Sequence, residues 1–166
     1  MPTAPIIRPA VAADAAFLAR VLAIAADWRR GMTPRPVEEL MASPEFAHYI
    51  AGWPRKGDFG VIAEATAPVG AAWWRFLGGD DPGYGWVDDD IPEISMGVVE
   101  RARGKGTGRA MLGALVQEAA RREVPALSLS VEPDNDAMHL YRKVGFREVG
   151  YNGGAVTMVL AIQQRP

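Results

Sequence analysis

The chain has 166 residues, no cysteine and a formal net charge of −2, with 49% hydrophobic and 23% charged residues. That length suits a single domain whose core needs neither disulfides nor thiolate metal sites, and the lack of cysteine removes any cysteinyl acyl-enzyme. The balanced charge gives no global pull toward nucleic acid, no apolar run reaches bilayer length, and the amino-terminal residues lack the basic-then-apolar order of a secretory signal. Neither a nucleic-acid nor a membrane partner is expected, and the default location is cytoplasmic.

In chain order, residues 6–8 read as a short first strand and residues 13–27 as a helix, with Phe17, Leu18, Val21, Leu22 and Ala25 on one stripe. A loop over residues 28–36 leads to a second helical region, 37–51, interrupted at Ser43-Pro44. Residues 59–65 and 69–75 form a strand pair, in which the adjacent Trp73 and Trp74 must point to opposite faces, so at most one of them can line a binding pocket; Trp86 is a further candidate. Residues 77–92 read as a long loop. With Glu93 included, this segment carries Asp80, Asp81, Asp88, Asp89 and Asp90 and no Lys or Arg, a local charge of −6.

Residues 93–99 read as a strand, and 107–123 as the clearest helix, with Met111, Leu112, Leu115, Val116 and Ala119 as its apolar stripe and a Glu118–Arg122 pair on its exposed side. Leu127, Leu129 and Val131 alternate with Ser128 and Ser130, the pattern of a strand with one apolar face. Residues 135–144 read as a short helix, capped by Asp134 or Asn135 and closed by Gly145; Phe146 then enters a strand, residues 151–154 turn, and 155–160 form the last strand. The result is one mixed α/β domain over residues 1–166.

The segment Arg103-Gly104-Lys105-Gly106-Thr107-Gly108-Arg109 lies between a strand and a strong helix. Glycines let backbone N–H groups approach an anion, and the first N–H groups of the helix point the same way, so a diphosphate is the ligand such a site suits. A P-loop is excluded because Gly104-Lys105 precedes Gly106 rather than Ser or Thr; the dinucleotide fingerprint fails because its third glycine would fall at Arg109 or Met111. The pattern that fits is Arg-x-x-Gly-x-Gly at Arg103, Gly106 and Gly108. It resembles the coenzyme A signature of the GNAT family of N-acetyltransferases, and Asn135, Ala137, Leu140-Tyr141 and Gly145-Phe146 resemble that family's second block.

The resemblance implies a GNAT fold: a mixed central sheet of about six to seven strands flanked by about four helices and splayed around its central strand. It implies acetyl-CoA as co-substrate, with no metal, and an amine acceptor. Its implied coenzyme-binding residues are Val98, Val99, Arg103, Gly104, Lys105, Gly106, Thr107, Gly108, Arg109, Asn135, Ala137 and Tyr141. Tyr141 would protonate the departing thiolate, Glu93 would act as base, and the Gly97 N–H would face the acetyl oxygen. Glycine inside a strand also marks a close packing approach, so Gly97 has two readings. The acidic segment suits a cationic small molecule or peptide as acceptor. His139 and His48 suggest neither a zinc site nor a serine–histidine dyad. A homodimer follows from family habit alone. The competing reading is an acyl-CoA-binding sensor without turnover.

Overall fold

The computed structural model describes residues 4–29 and 31–163. A seven-stranded sheet runs in the order β1-β2-β3-β4-β5-β7-β6, with β1 Ile6–Pro9, β2 Phe59–Glu64, β3 Pro68–Arg75, β4 Glu93–Val98, β5 Ala126–Val131, β6 Arg147–Asn152 and β7 Ala155–Ala161. Neighbours are antiparallel except β4 and β5, which are parallel and register only at Glu93 opposite Ser128. Beyond that point the two strands diverge and the sheet opens. The five helices are α1 Ala15–Ala26, α2 Val37–Met41, α3 Pro44–Ala47, α4 Thr107–Arg121 and α5 Ala137–Val144. Among them no helix is long and apolar enough to cross a membrane.

Helices cover both faces, which is why β3 is buried almost throughout. One core gathers Trp74, Ile94, Met111, Leu112, Leu115, Leu127, Leu129 and Tyr141 under α4 and α5. The other gathers Leu18, Val21, Leu22, Leu40, Tyr49 and Trp73 under α1, α2 and the chain after α3. Trp73 and Trp74 do point to opposite faces, and both are fully buried. Each indole N–H has a backbone partner, Trp73 on the Tyr49 carbonyl at 3.0 Å and Trp74 on that of Gly57 at 2.8 Å. Neither lines the open cleft, because β3 lies deep in the sheet, so the pocket position allowed to at most one of them is taken by neither.

The second helical region breaks at Ser43-Pro44 as expected, since Pro44 begins a new helix, but α3 ends at Ala47 rather than reaching residue 51. The α5 helix starts at Ala137, since the Asn135 side chain accepts the Ala137 N–H at 2.9 Å in a turn of its own. Tyr151 and Asn152 belong to β6, and the turn is Gly153-Gly154 alone, with φ of +60° and +86° as a two-residue hairpin requires. At the other end of α5, Gly145 adopts φ +118° and the Phe146 N–H returns to the Tyr141 carbonyl at 3.0 Å. This closure folds Phe146 back against Tyr141, ring to ring at 5.8 Å.

Candidate active site

The divergence of β4 from β5 opens a cleft of about 2060 Å³. Its walls include Met96 and Val98 of β4, the start of α4, Leu129 to Val131 of β5, Leu140 and Tyr141 of α5, and the segment after α1.

At one end lies the glycine-rich loop. Gly104 and Gly106 take φ of +75° and +81°, the left-handed region that side chains disfavour, and a Cβ on either would meet nothing within 4 Å. Glycine is needed there for backbone direction, not for space. Gly106 caps α4, and the first bond inside the helix runs from the Ala110 N–H to the Gly106 carbonyl, so the N–H groups of Thr107, Gly108 and Arg109 have no partner within the helix. The buried Thr107 hydroxyl also has no hydrogen-bond partner among the described residues. Gly108 is a packing position, where a Cβ would come 3.2 Å from Leu140 and 3.5 Å from Met96. Arg103 is exposed and donates from Nε to the Val98 carbonyl at 3.0 Å, whereas Arg101 and Arg109 line the cleft without ion pairs among the described residues. Lys105 is exposed outside the cleft wall. Unpartnered helix-start N–H groups, an orphaned buried hydroxyl and a cationic rim fit a diphosphate. Asn135 and Ala137 line the same cleft, bound to each other.

Tyr141 projects from α5 and is 8% exposed; its hydroxyl makes no hydrogen bond among the described residues. Burial pushes its pKa up to about 12, so it holds its proton at neutral pH.

Glu93 stands at the vertex where the strands part and is 4% exposed. Burial raises its pKa to about 7, against the opposing pull of the Tyr49 hydroxyl and the Gly85 N–H. The Tyr49 hydroxyl donates to Oε2 at 2.8 Å, while Oε1 is buried without a hydrogen-bond partner among the described residues. Tyr49 accepts in turn from the Tyr84 N–H at 2.8 Å. Sequence reading missed Tyr49 and Tyr84. Nothing local in the mixed aromatic stretch after α2 ties position 49 to position 93, which is 44 residues away.

Gly97 has a role other than the one the resemblance implied. It registers with Ala71, two residues before Val99, whose N–H bonds the Val69 carbonyl at 2.8 Å. Alternation along an antiparallel ladder then directs the Gly97 N–H into β3, away from the cleft. Its missing side chain serves α1, because a Cβ would stand 3.0 Å from Val21 Cγ1. By the same parity the Val99 N–H is engaged by β3, and the N–H groups of Met96 and Val98 point toward the gap.

The long segment after β3 reaches the cleft through Tyr84 rather than through its aspartates, none of which lines it. Asp89 accepts from the Gly79 N–H and the Trp86 indole, Asp88 from the Asp90 N–H, and Asp81 pairs with His48 at 3.0 Å. Trp86 lines a separate small groove beside Tyr84 and β6. His139 is exposed.

The sheet thus opens between two parallel strands, with an anion-receptive helix start at one side and a buried carboxylate at the vertex, a layout that can take a phosphorylated ligand. The chain belongs to the acetyltransferase (GNAT) family, whose model matches residues 22–146. No curated protein sequence matches it. Among solved structures it is similar to the ribosomal-protein-alanine N-acetyltransferase of Brucella melitensis, at 26% identity and TM-score 0.67 over 94% of this chain and 99% of that one. It is also similar to a putative acetyltransferase of Salmonella typhimurium solved with acetyl-CoA, at 20% identity and TM-score 0.67 over 99% and 97%. A third is the N-acetyltransferase of Thermoplasma acidophilum solved with coenzyme A, at 15% identity and TM-score 0.67 over 96% and 99%.

Proposed function

We propose that this enzyme transfers an acetyl group from acetyl-CoA directly to a primary amine. The observation that carries the reading is the placement, in one cleft, of a buried carboxyl and a buried phenol, burial raising the first to a pKa of about 7 and keeping the proton on the second. Those are the two protonation states that amine attack on a thioester needs.

The diphosphate would rest on the N–H groups of Thr107, Gly108 and Arg109, with Arg101, Arg103 and Arg109 supplying charge. The strand residues Met96 and Val98 offer N–H groups to the thioester arm and to the oxyanion that develops at the carbonyl. As the amine nitrogen bonds the acetyl carbon, Glu93 receives its proton; as the carbon–sulfur bond breaks, Tyr141 gives its proton to the sulfur. The absence of cysteine from the chain supports direct transfer over a thiol-linked intermediate.

On the acceptor side, the cleft between α1 and the segment after β3 is lined by Arg35, Phe46, Tyr49 and Tyr84. Tyr84 bonds Glu45 at 2.8 Å, and Arg35 pairs with Asp27 at 3.0 Å while lying 5.0 Å from the Phe46 ring centre. These aromatic walls suit the flanks of an amine-bearing small molecule or peptide end. The aspartates after β3 would favour a cationic acceptor only from a distance.

Release of free thiol from acetyl-CoA, measured across a panel of small amines and short peptides, tests the reading. Acceptor-dependent release is expected. Tight acetyl-CoA binding with no release for any amine would overturn it in favour of a silent acyl-CoA-binding domain.

A further inference from the structure

Glu93 is poorly placed to meet an amine by itself. Its Oε1 is sealed, with the backbone of Gly83 so close that a Cβ there would stand 2.2 Å away, and Oε2 is taken by Tyr49. Tyr49 lines the same cleft as Glu93. Its oxygen donates one proton to Glu93 and accepts one from the Tyr84 N–H, leaving one lone pair unused.

Resting on the reading of Glu93 as base, we infer that Tyr49 is a proton relay, accepting the proton of the attacking amine at its hydroxyl oxygen while passing its own hydrogen to Glu93 Oε2. One N–H bond breaks and one O–H forms on Tyr49, while the original O–H breaks and a new one forms on the carboxyl. Tyr49 is regenerated neutral, and Glu93 ends protonated.

The surroundings hold the relay in place. Trp73 donates its indole N–H to the Tyr49 carbonyl. Arg75 donates to the carbonyls of His48 at 3.1 Å and Ala51 at 2.7 Å, so the backbone on both sides of Tyr49 is tied down. Arg75 itself is neutralised by Asp58 at 2.7 Å, both side chains being 1% exposed. Two further ionisable neighbours face Tyr49: His48, whose ring stands edge-on to it at 4.6 Å and is held by Asp81, and Tyr84, whose hydroxyl is held by Glu45 at 2.8 Å. Burial and the adjacent carboxylate push the Tyr49 hydroxyl far above the usual phenol range, so it is a proton carrier and never a standing phenolate.

The test compares Tyr49→Phe and Glu93→Gln, with the pH dependence of kcat at saturating amine and the binding of acetyl-CoA as separate readouts. The relay predicts that Tyr49→Phe lowers kcat by about a hundredfold, moves the acid limb to higher pH because Glu93 loses the hydrogen bond that restrains it, and leaves acetyl-CoA binding intact. Wild-type kcat with an unmoved limb in Tyr49→Phe, alongside a crippled Glu93→Gln, would overturn the relay and keep the base. Wild-type kcat in Glu93→Gln would instead remove the base reading itself. If Tyr49→Phe fails to fold, 3,5-difluorotyrosine at position 49 keeps the shape and strengthens the donor; the acid limb should move to lower pH, and an unmoved limb would overturn the proposal.

Discussion

A Cβ on Gly83 would fall 2.2 Å from Glu93 Oε1 and 2.8 Å from the Tyr49 hydroxyl, so the segment after β3 presses its bare backbone onto the buried carboxylate. Gly85 makes the same kind of approach to β5, where a Cβ would lie 2.5 Å from the Leu129 carbonyl carbon. The roof over Glu93 is therefore made of glycine backbone, and burial under it is the largest cause of the carboxyl's high pKa.

Gly83→Ala should lift this roof. Neither oxygen nor backbone can yield by more than a few tenths of an ångström, so the segment must move and admit water. The expected result is a loss of about 1–3 kcal/mol in stability, with the acid limb of kcat moving to lower pH as Glu93 regains hydration. Denaturant unfolding and a pH–rate profile check the two effects separately.

Glu93 should also leave a signature in stability. Its folded pKa of about 7 lies above its unfolded value of 4.5, so the folded state holds the extra proton between those limits. Stability from this group is complete below about pH 4.5 and is lost as pH rises through 7, by about 3 kcal/mol. Glu93→Gln cannot titrate and should flatten that slope while lowering kcat by about a hundredfold or more. Urea unfolding across pH 4.5–8 for both proteins measures it.

Tyr141→Phe isolates the thiolate-protonating role. Because the hydroxyl has no hydrogen bond among the described residues, removing it leaves nothing unpaired, and the ring's contact with Phe146 remains. Stability and acetyl-CoA affinity should stay near wild type, and kcat should fall by about a hundredfold. Single-turnover thiol release shows the effect on the chemical step; an unchanged rate there would end the assignment.

Alternation and helical stripes made most of the fold readable, including the opposite facing of Trp73 and Trp74 and the apolar face of α4. The glycine loop and the helix start it feeds were readable for the same reason: they are contiguous in sequence. The vertex was not. Glu93 becomes a titrating group near neutrality only because Tyr49, Gly83 and Gly85 close over it, and those contacts depend on how a loop without periodicity folds. Gly97 kept two readings in sequence, an N–H facing the acetyl oxygen and a packing glycine, because the approach of α1 that favours the second is visible only in the packing of two distant elements. The summed charge of residues 77–93 also hides how it is placed: Asp88 and Asp89 accept hydrogen bonds within the loop, Asp81 pairs with His48, none of the five aspartates lines the cleft, and the sixth acid is Glu93 itself, buried and only partly ionised at neutral pH.

That placement of charge leads to opposite salt responses for the two substrates. Arg101 and Arg109 line the cleft beside the α4 start, without ion pairs among the described residues, so they attract a diphosphate through solvent. Such attraction is screened over a Debye length that shrinks from about 10 Å at 0.1 M to about 3 Å at 1 M salt. The KM for acetyl-CoA should therefore rise with ionic strength. None of the five aspartates after β3 touches the cleft, and their field reaches an amine only across solvent, so the amine KM should change little between 0.1 and about 0.5 M salt once the coenzyme is saturating. Steady-state kinetics with each substrate varied in turn measures both constants. A steep rise in amine KM would show that the acidic segment does capture a cationic acceptor, and Asp88→Asn with Asp90→Asn should then reproduce that rise at low salt.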